Sequence, residues 1–297
     1  MATTSKSSRP KKGTFLVQFW GVRGTLPVPG KDTVLYGGNT NCITLQFKND
    51  FFIFDAGTGI KNLENFLIKK KKLPIKATIF ITHPHYDHIN GIPFFTPLYM
   101  KGNKFDFYGP NHDDKQIKQL ISNQMNNIYF PVTIKEFSAD IAFHHLTEET
   151  FKMGELQIST FVLNHPGRCL GYRVQYKNKI FCYITDNELY CENSPQYKQQ
   201  DVDKLIDFIH DADLVVMDAT YSDERYACKQ GWGHSCVSRV IDVADKAHVK
   251  LLCLHHHDPE DTDKTIARKV KTAKAILKAR HSKTRCMAAK ENQSVMI

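Results

Sequence analysis

Short apolar runs separated by Gly- and Asn-rich turns dominate the first half of the chain. "FLVQFW" (15–20), "CITLQF" (42–47), "FFIFDA" (51–56) and "ATIFITH" (77–83) are brief and rich in aromatic and β-branched residues, and they predict strands. "LQISTFVLNH" (156–165), "LGYRVQYK" (170–177) and "IFCYITD" (180–186) read the same way, with "KNK" as a hairpin turn between the last two. Helical spacing appears at Val202, Leu205, Ile206 and Ile209, and again at Ile266, Val270, Ala273 and Leu277, where Asp261 or Asp263 is the candidate cap. A further helix is predicted over 235–248, just before the strand "KLLCLHHH" (250–257). No repeat of fixed period and no low-complexity linker interrupts this order after residue 13. Strands, then helices, then strands and helices again predict two packed sheets with helices outside. The stretch 100–137 reads as an elaboration over one edge.

Composition narrows the class without changing that picture. The 297 residues suit a flexible basic tail over 1–13 and one domain over 14–297. No apolar stretch approaches the roughly 20 residues that span a bilayer, and the polar, basic start does not read as a secretory signal. The eight cysteines form no CxxC pair and several sit in strand-like runs, so reduced thiols in a cytoplasmic protein are expected. The net charge of +9 gathers in the tail, in Lys69 to Lys72 and from Lys264 to Lys290. These runs read as solvated faces, with attraction of an anionic nucleotide or nucleic acid as the alternative.

The chemistry concentrates in "HPHYDH", where His83, His85, Asp87 and His88 fall within six positions at the end of an apolar run. Imidazole and carboxylate groups suit zinc, manganese or iron, and a metal site needs several of them converging from rigid supports. The pattern recurs downstream. His165, Asp186 and His256 each stand at the C-terminal end of a predicted strand, on the rim where α/β proteins build sites. Among His255, His256 and His257, strand alternation favours His256, with His255 the alternative.

With those residues in view, the chain from about Phe15 resembles the metallo-β-lactamase superfamily. The resemblance implies an α/β fold, the αββα four-layer metallo-β-lactamase sandwich, with two divalent metal ions, zinc first and manganese or iron as alternatives. One metal would be held by His83, His85 and His165, the other by Asp87, His88 and His256, with Asp186 bridging. Asp55 in "FDAGTG" matches the family's early Asp-x-Gly, which braces the metal loop without binding metal.

"MDATYSDERYACKQGWGHSC" (217–236) resembles the phosphodiesterase branch that contains ribonuclease Z, in which an acidic residue pairs with the His of a "GHS" segment. Those positions are Asp218 and His234, and a carboxylate-oriented His can protonate a leaving alkoxide. A capping role for "GHS" is the plainer alternative. Ribonuclease Z carries a long arm for transfer RNA between the single metal His and the bridging Asp, whereas 20 residues separate His165 from Asp186 here. "FWGVRGTLPVPGKDTVLYGGNTNC" (19–42) and "HHDP" resemble bacterial phosphodiesterases of small nucleotides and cyclic phosphates, which makes Arg23 and Asn39 candidate phosphate contacts. In "NNIYFPV" (126–132), Tyr129 or Phe130 could stack on a base, although core packing is the preferred reading.

Together these readings predict a cytoplasmic, homodimeric phosphodiesterase that opens a small cyclic nucleotide or cyclic phosphate ester with a metal-bridged hydroxide. His234 is the general acid and Asp218 its partner. A ribonuclease Z-like nuclease acting on RNA is the first alternative and a non-catalytic nucleotide- or RNA-binding module the second. No membrane partner is expected.

Overall fold

The computed structural model describes residues 13–112 and 114–297, so the expected tail lies outside the described residues except for Gly13. The chain first lays down β1 (Leu16–Gly21), β2 (Cys42–Phe47) and β3 (Asp50–Phe54), then α1 (Ile60–Lys69), β4 (Lys76–Phe80) and the single turn α2 (Tyr86–Ile89). It continues with β5 (Lys104–Pro110), α3 (Ile117–Asn123) and β6 (Asp140–Leu146). The second half contributes β7 (Thr150–Met153), β8 (Leu156–Leu163), β9 (Cys169–Tyr176), β10 (Lys179–Ile184), α4 (Gln199–Ile209) and β11 (Leu214–Asp218). After these come α5 (Asp223–Tyr226), α6 (Val237–Lys246), β12 (Leu251–His255), α7 (Asp263–Ala279), β13 (Arg285–Ala288) and β14 (Ser294–Met296).

Two seven-stranded sheets result, in the orders β14-β1-β2-β3-β4-β5-β6 and β13-β12-β11-β10-β9-β8-β7. In each, the pairings are antiparallel on one side and parallel on the other, with β3 to β6 parallel in the first and β10 to β13 parallel in the second. Alternation explains the layers. Phe52, Phe54, Phe80, Tyr172, Phe181 and Tyr183 turn inward and pack between the sheets. Ile53, Ile79 and Phe107 turn outward under α1, where Ile60, Leu63 and Leu67 recur at helical spacing. Val215, Met217, Leu252 and Leu254 meet α4, α6 and α7 on the other outer face. This is the expected αββα sandwich.

Three local readings need correction. "KFDFYGP" alternates buried Phe105 and Phe107 with half-buried Lys104 and Asp106, so it forms β5 inside the first sheet and is no edge elaboration. The core packing expected of Tyr129 does not occur: Ile128 and Tyr129 are 81% and 84% exposed, while half-buried Phe130 meets Phe94 edge-on. The cap of α7 is Thr262, whose hydroxyl accepts from Thr265 N (3.3 Å). Asp263 instead receives the N–H groups of Leu35 and Tyr36, and Asp261 faces the buried Lys269 ammonium.

The parallel strands point their C-terminal ends to one rim, and there the chain leaves the sheets in left-handed backbone. Asp55 (φ 58°) follows β3, Asp186 (φ 34°) follows β10 and His256 (φ 57°) follows β12. Asp and His tolerate this conformation better than most non-glycine residues, but it still costs energy and has to be held by its surroundings.

Candidate metal centre

The loop after β4 aims its side chains by a change of backbone. His83 sits beyond the end of the strand, His85 is the extended residue before α2, and the one turn of α2 swings Asp87 and His88 inward while Tyr86 stays 77% exposed. His85 Nδ1 lies 3.2 Å from His165 Nε2. The carboxylate of Asp186 divides between two groups of imidazoles. Its Oδ2 lies 3.6 Å from His83 Nε2 and 3.7 Å from His165 Nε2, whereas its Oδ1 lies 3.1 Å from both His88 Nε2 and His256 Nε2. Asp87 Oδ2 completes the second group at 3.2 Å from His88 and His256. Two sets therefore form, His83, His85, His165 and Asp186, and Asp87, His88, Asp186 and His256, with the ligand-type atoms of each set within 4.8 Å of one another.

Hydrogen bonds on the far ring nitrogens hold these imidazoles in place. His88 Nδ1 donates to Asp55 Oδ2 (2.8 Å), and Asp55 also accepts from Thr82 N and Tyr183 Oη. His165 Nδ1 donates to the Gly233 carbonyl (2.9 Å), so its Nε2 is left facing Asp186. Second partners of this kind fix the tautomer and the ring plane of a metal-type histidine. Glycine is required where the backbone passes these rings: a Cβ on Gly24 would stand 2.1 Å from the His256 ring, and one on Gly233 2.3 Å from His165.

The electrostatics call for a cation. Burial holds His83, His85 and His165 below the usual imidazole range, which keeps them neutral and able to donate a lone pair. Burial works against ionised Asp87 and Asp186, yet the neighbouring histidines outweigh it and keep both carboxylates well below their usual range. His88 moves the opposite way: burial opposes its charge, but Asp87, Asp186 and Asp55 raise it well above the ordinary value. A proton on His88 and a metal ion answer the same need, positive charge between buried carboxylates. His83 Nε2 is buried with no hydrogen-bond partner among the described residues, so the donor set fits a divalent cation.

Beside the two sets lies a separate pair. His234 Nδ1 meets Asp218 Oδ2 at 2.8 Å, and the His234 ring stacks on His256 with centroids 4.7 Å apart. Burial would lower His234, but Asp218, together with Asp186 and Asp87, outweighs it and lifts it to about 9. Asp218 is fully occupied: Oδ1 accepts from Thr220 N and Oγ1, and Oδ2 also accepts from Asn187 N. Asp218, His234 and His256 also fall within metal-binding distance of one another, but a carboxylate so engaged has no free direction for an ion. The "GHS" segment does not cap α6, whose cap residue is Cys236, and Ser235 Oγ donates to the Asn187 carbonyl.

Two sequence candidates do not reach the centre. Arg23 is fully buried and its guanidinium donates to the carbonyls of Gly37, Asp258 and Asp261, so it ties loops together and does not face a phosphate. Asn39 is held by Glu291. The asparagine that does arrive is Asn41, whose Nδ2 lies 3.1 Å from Asp87 Oδ2 and 3.0 Å from His88 Nε2, with Thr25 N donating to the same carboxylate oxygen (2.8 Å). The second Asn of "GGNTNC" was the available signal. Thr220 and Glu188 were also missed, since nothing in their local sequence marks them.

A cavity of about 580 Å³ opens over these groups, bounded by Tyr86, Tyr221, Arg225, Lys229 and Trp232. His85, Asp87, His165, Asp186, His234 and His256 form its lining on the side of the strand ends. Its size lies within the roughly 300–1,000 Å³ of small-molecule sites.

Residues 51–257 match the family profile described as "Beta-lactamase superfamily domain". The ribonuclease Z of Lactococcus lactis subsp. cremoris (strain SK11) is 26% identical over 293 residues, covering 80% of this chain and 89% of that protein. Among solved structures, unliganded yeast PDE1 superposes with a TM-score of 0.68 at 14% identity, covering 96% of this chain and 99% of the other. The short form of human tRNase Z gives 0.64 at 20% identity, covering 94% and 98%. At these identities the two structures establish a shared fold.

Proposed function

The chain belongs to the metallo-β-lactamase superfamily, and from that membership and the geometry of its centre we propose a metal-dependent phosphodiesterase acting on a small cyclic nucleotide or cyclic phosphate ester. Two divalent cations, zinc first and manganese or iron as alternatives, held by His83, His85 and His165 and by Asp87, His88 and His256 with Asp186 shared, would supply Lewis-acid charge and a water nucleophilic at neutral pH. Asp55 and the Gly233 carbonyl fix the rings of His88 and His165 for that purpose. His234 carries the proton. Asp218 holds its Nδ1–H, so the opposite edge is the one available to the cavity, and the Asp218 carboxylate favours the protonated ring, which can donate to a departing oxygen.

The observation that carries the small-substrate reading lies between His165 and Asp186. The intervening chain is the tight hairpin of β9 and β10, turning at Lys177, and the cavity over the centre is of small-molecule size. Relatives named ribonuclease Z support the rival, cleavage of RNA. Hydrolysis of a panel of 3′,5′- and 2′,3′-cyclic nucleotides and a structured RNA, with and without chelator, separates the two. Chelator-sensitive opening of a cyclic ester with RNA untouched is expected. RNA cleavage with every cyclic ester untouched would overturn the reading.

Two finer expectations go with it. All eight cysteines are unpaired thiols and most are buried, which supports a reducing, cytoplasmic setting. No helix among the described residues is long and apolar enough to cross a membrane. Exposed Ile128 and Tyr129 support a homodimer, which light scattering across a concentration series would test.

A further inference from the structure

Trp232 is a large aromatic side chain held out at the mouth of the cavity by unusual means. It is 59% exposed, while the other tryptophan, Trp20, is 3% exposed and donates to Thr44 away from the centre. Glycines in left-handed backbone flank it, Gly231 (φ 84°) and Gly233 (φ 83°). The N–H groups of both glycines donate to one carboxylate, Glu188, at 2.7 and 2.8 Å, and the Tyr226 hydroxyl donates to it as well. Glu188 is 3% exposed. Burying a carboxylate is costly unless it is fully hydrogen-bonded, and here the hydrogen bonds serve to pin the two peptides on either side of an exposed indole.

The same short loop carries three groups toward the site. Gly233 orients His165 through its carbonyl, His234 follows immediately, and Trp232 precedes both. Lys229 Nζ sits 3.6 Å from the Trp232 ring centroid, a cation over one face of the indole that also brings positive charge to the cavity wall. An indole with one face covered by a cation, fixed beside a phosphodiester site, is suited to take a nucleobase on its other face.

We propose that Trp232 is the base-stacking platform of this centre, and that its substrates are selected as nucleotides rather than as base-free phosphate esters. The inference rests on the small-phosphodiester reading above and names its substrate class. Glu188 acts through the loop and is a positioning residue. The platform is independent of chemistry at phosphorus, so binding tests it directly.

Trp232 is the exposed member of the pair of tryptophans, so its fluorescence reports occupancy of the platform. Zinc-loaded protein is titrated with adenosine 5′-monophosphate and with ribose 5-phosphate, which differs by the missing base. Adenosine 5′-monophosphate is expected to quench the emission and to bind more tightly than ribose 5-phosphate by roughly 5- to 150-fold, the range for stacking one base on an aromatic ring. In calorimetry, Trp232→Ala should erase that preference, and Trp232→Phe should restore most of it. Equal binding of the two ligands by the unaltered protein, or an undiminished preference in Trp232→Ala, would overturn the platform. Base-dependent quenching in a protein that hydrolyses no phosphodiester would sink the hydrolytic reading alone. Turnover of cyclic nucleotides without base preference would sink the platform alone.

Discussion

The two halves of the molecule build the centre by different means from the same kind of scaffold. Each half has a sheet that passes from antiparallel to parallel pairing, and each presents the C-terminal ends of parallel strands to the common rim. The first half delivers His83, His85, Asp87 and His88 from one loop and one helical turn. The second half delivers Asp186, Asp218 and His256 singly, each from a different strand end, and adds His165 and His234 from loops tied together by Gly233. A loop that carries four ligands fails as a unit, because its members share one backbone path. Separate strand ends allow each residue a separate role, and Asp218 with His234 stands apart from the metal sets for that reason.

The largest effect should come from striking the loop. His83→Ala removes an imidazole from the first set, and is expected to lower both metal content and turnover to background, read by elemental analysis and hydrolysis on the same sample. The corresponding strike on the second half should divide these properties. His234→Ala is expected to keep the metal and lose about 10²- to 10⁴-fold in kcat, the usual contribution of a positioned acid. If His234→Ala emptied a metal set instead, the separation of roles between the halves would collapse.

That difference also explains what the sequence could show. Ligands crowded into six positions are visible without any knowledge of the fold, and "HPHYDH" was legible for that reason. His165, Asp186 and His256 became legible because predicted strands ended at them. Strand alternation does not place His256, however: β12 ends at His255, and His256 reaches Asp87 and Asp186 through a left-handed turn. Its neighbours point to backbone carbonyls instead, His255 toward Gly21 and His257 toward Ala289. The groups that hold the ligands were illegible, because Asn41, Thr220 and Glu188 act across long sequence separations that only the packed sheets create. Arg23 misled for the complementary reason. A basic residue in a Gly-rich segment resembles a phosphate contact until the carbonyls of Gly37, Asp258 and Asp261 close around it. Strand β11 lacked any alternation, since a strand buried on both faces reads as a plain apolar run.

A smaller effect should sharpen the role of Asp218. Asp218→Asn keeps the size of the side chain but removes the charge that chiefly raises His234 against the opposing effect of burial. The protonated form of His234 is the active one, so activity falls as pH rises through its pKa. Removing Asp218's charge lowers that pKa, and the alkaline limb of the kcat profile should move to lower pH. Bound metal ions lower the limb in both proteins, so the displacement between variant and parent is the measurement, with a drop of about 10- to 100-fold in kcat at neutral pH. An unmoved limb would mean that another group supplies the proton.

The finest distinction lies within the first half, between two asparagines two positions apart. Asn41 lies against Asp87 and His88 in the buried centre, whereas Asn39 hydrogen-bonds Glu291 at the half-buried junction with the C-terminal segment. Asn41→Ala leaves the buried Asp87 and His88 without one of their neighbours and should weaken metal binding by about 10- to 100-fold, the cost typical of losing a group that orients a ligand. Asn39→Ala removes a hydrogen bond to a carboxylate that keeps Asn62 as a further partner, so it should cost about 1 kcal/mol of stability and leave metal affinity and KM unchanged. Competition with a chelator of known affinity reads the first quantity and thermal unfolding the second. A rise in KM for Asn39→Ala with unaltered stability would return that residue to the substrate, and would mean that the Gly-rich segment closes over the cavity when a phosphodiester binds.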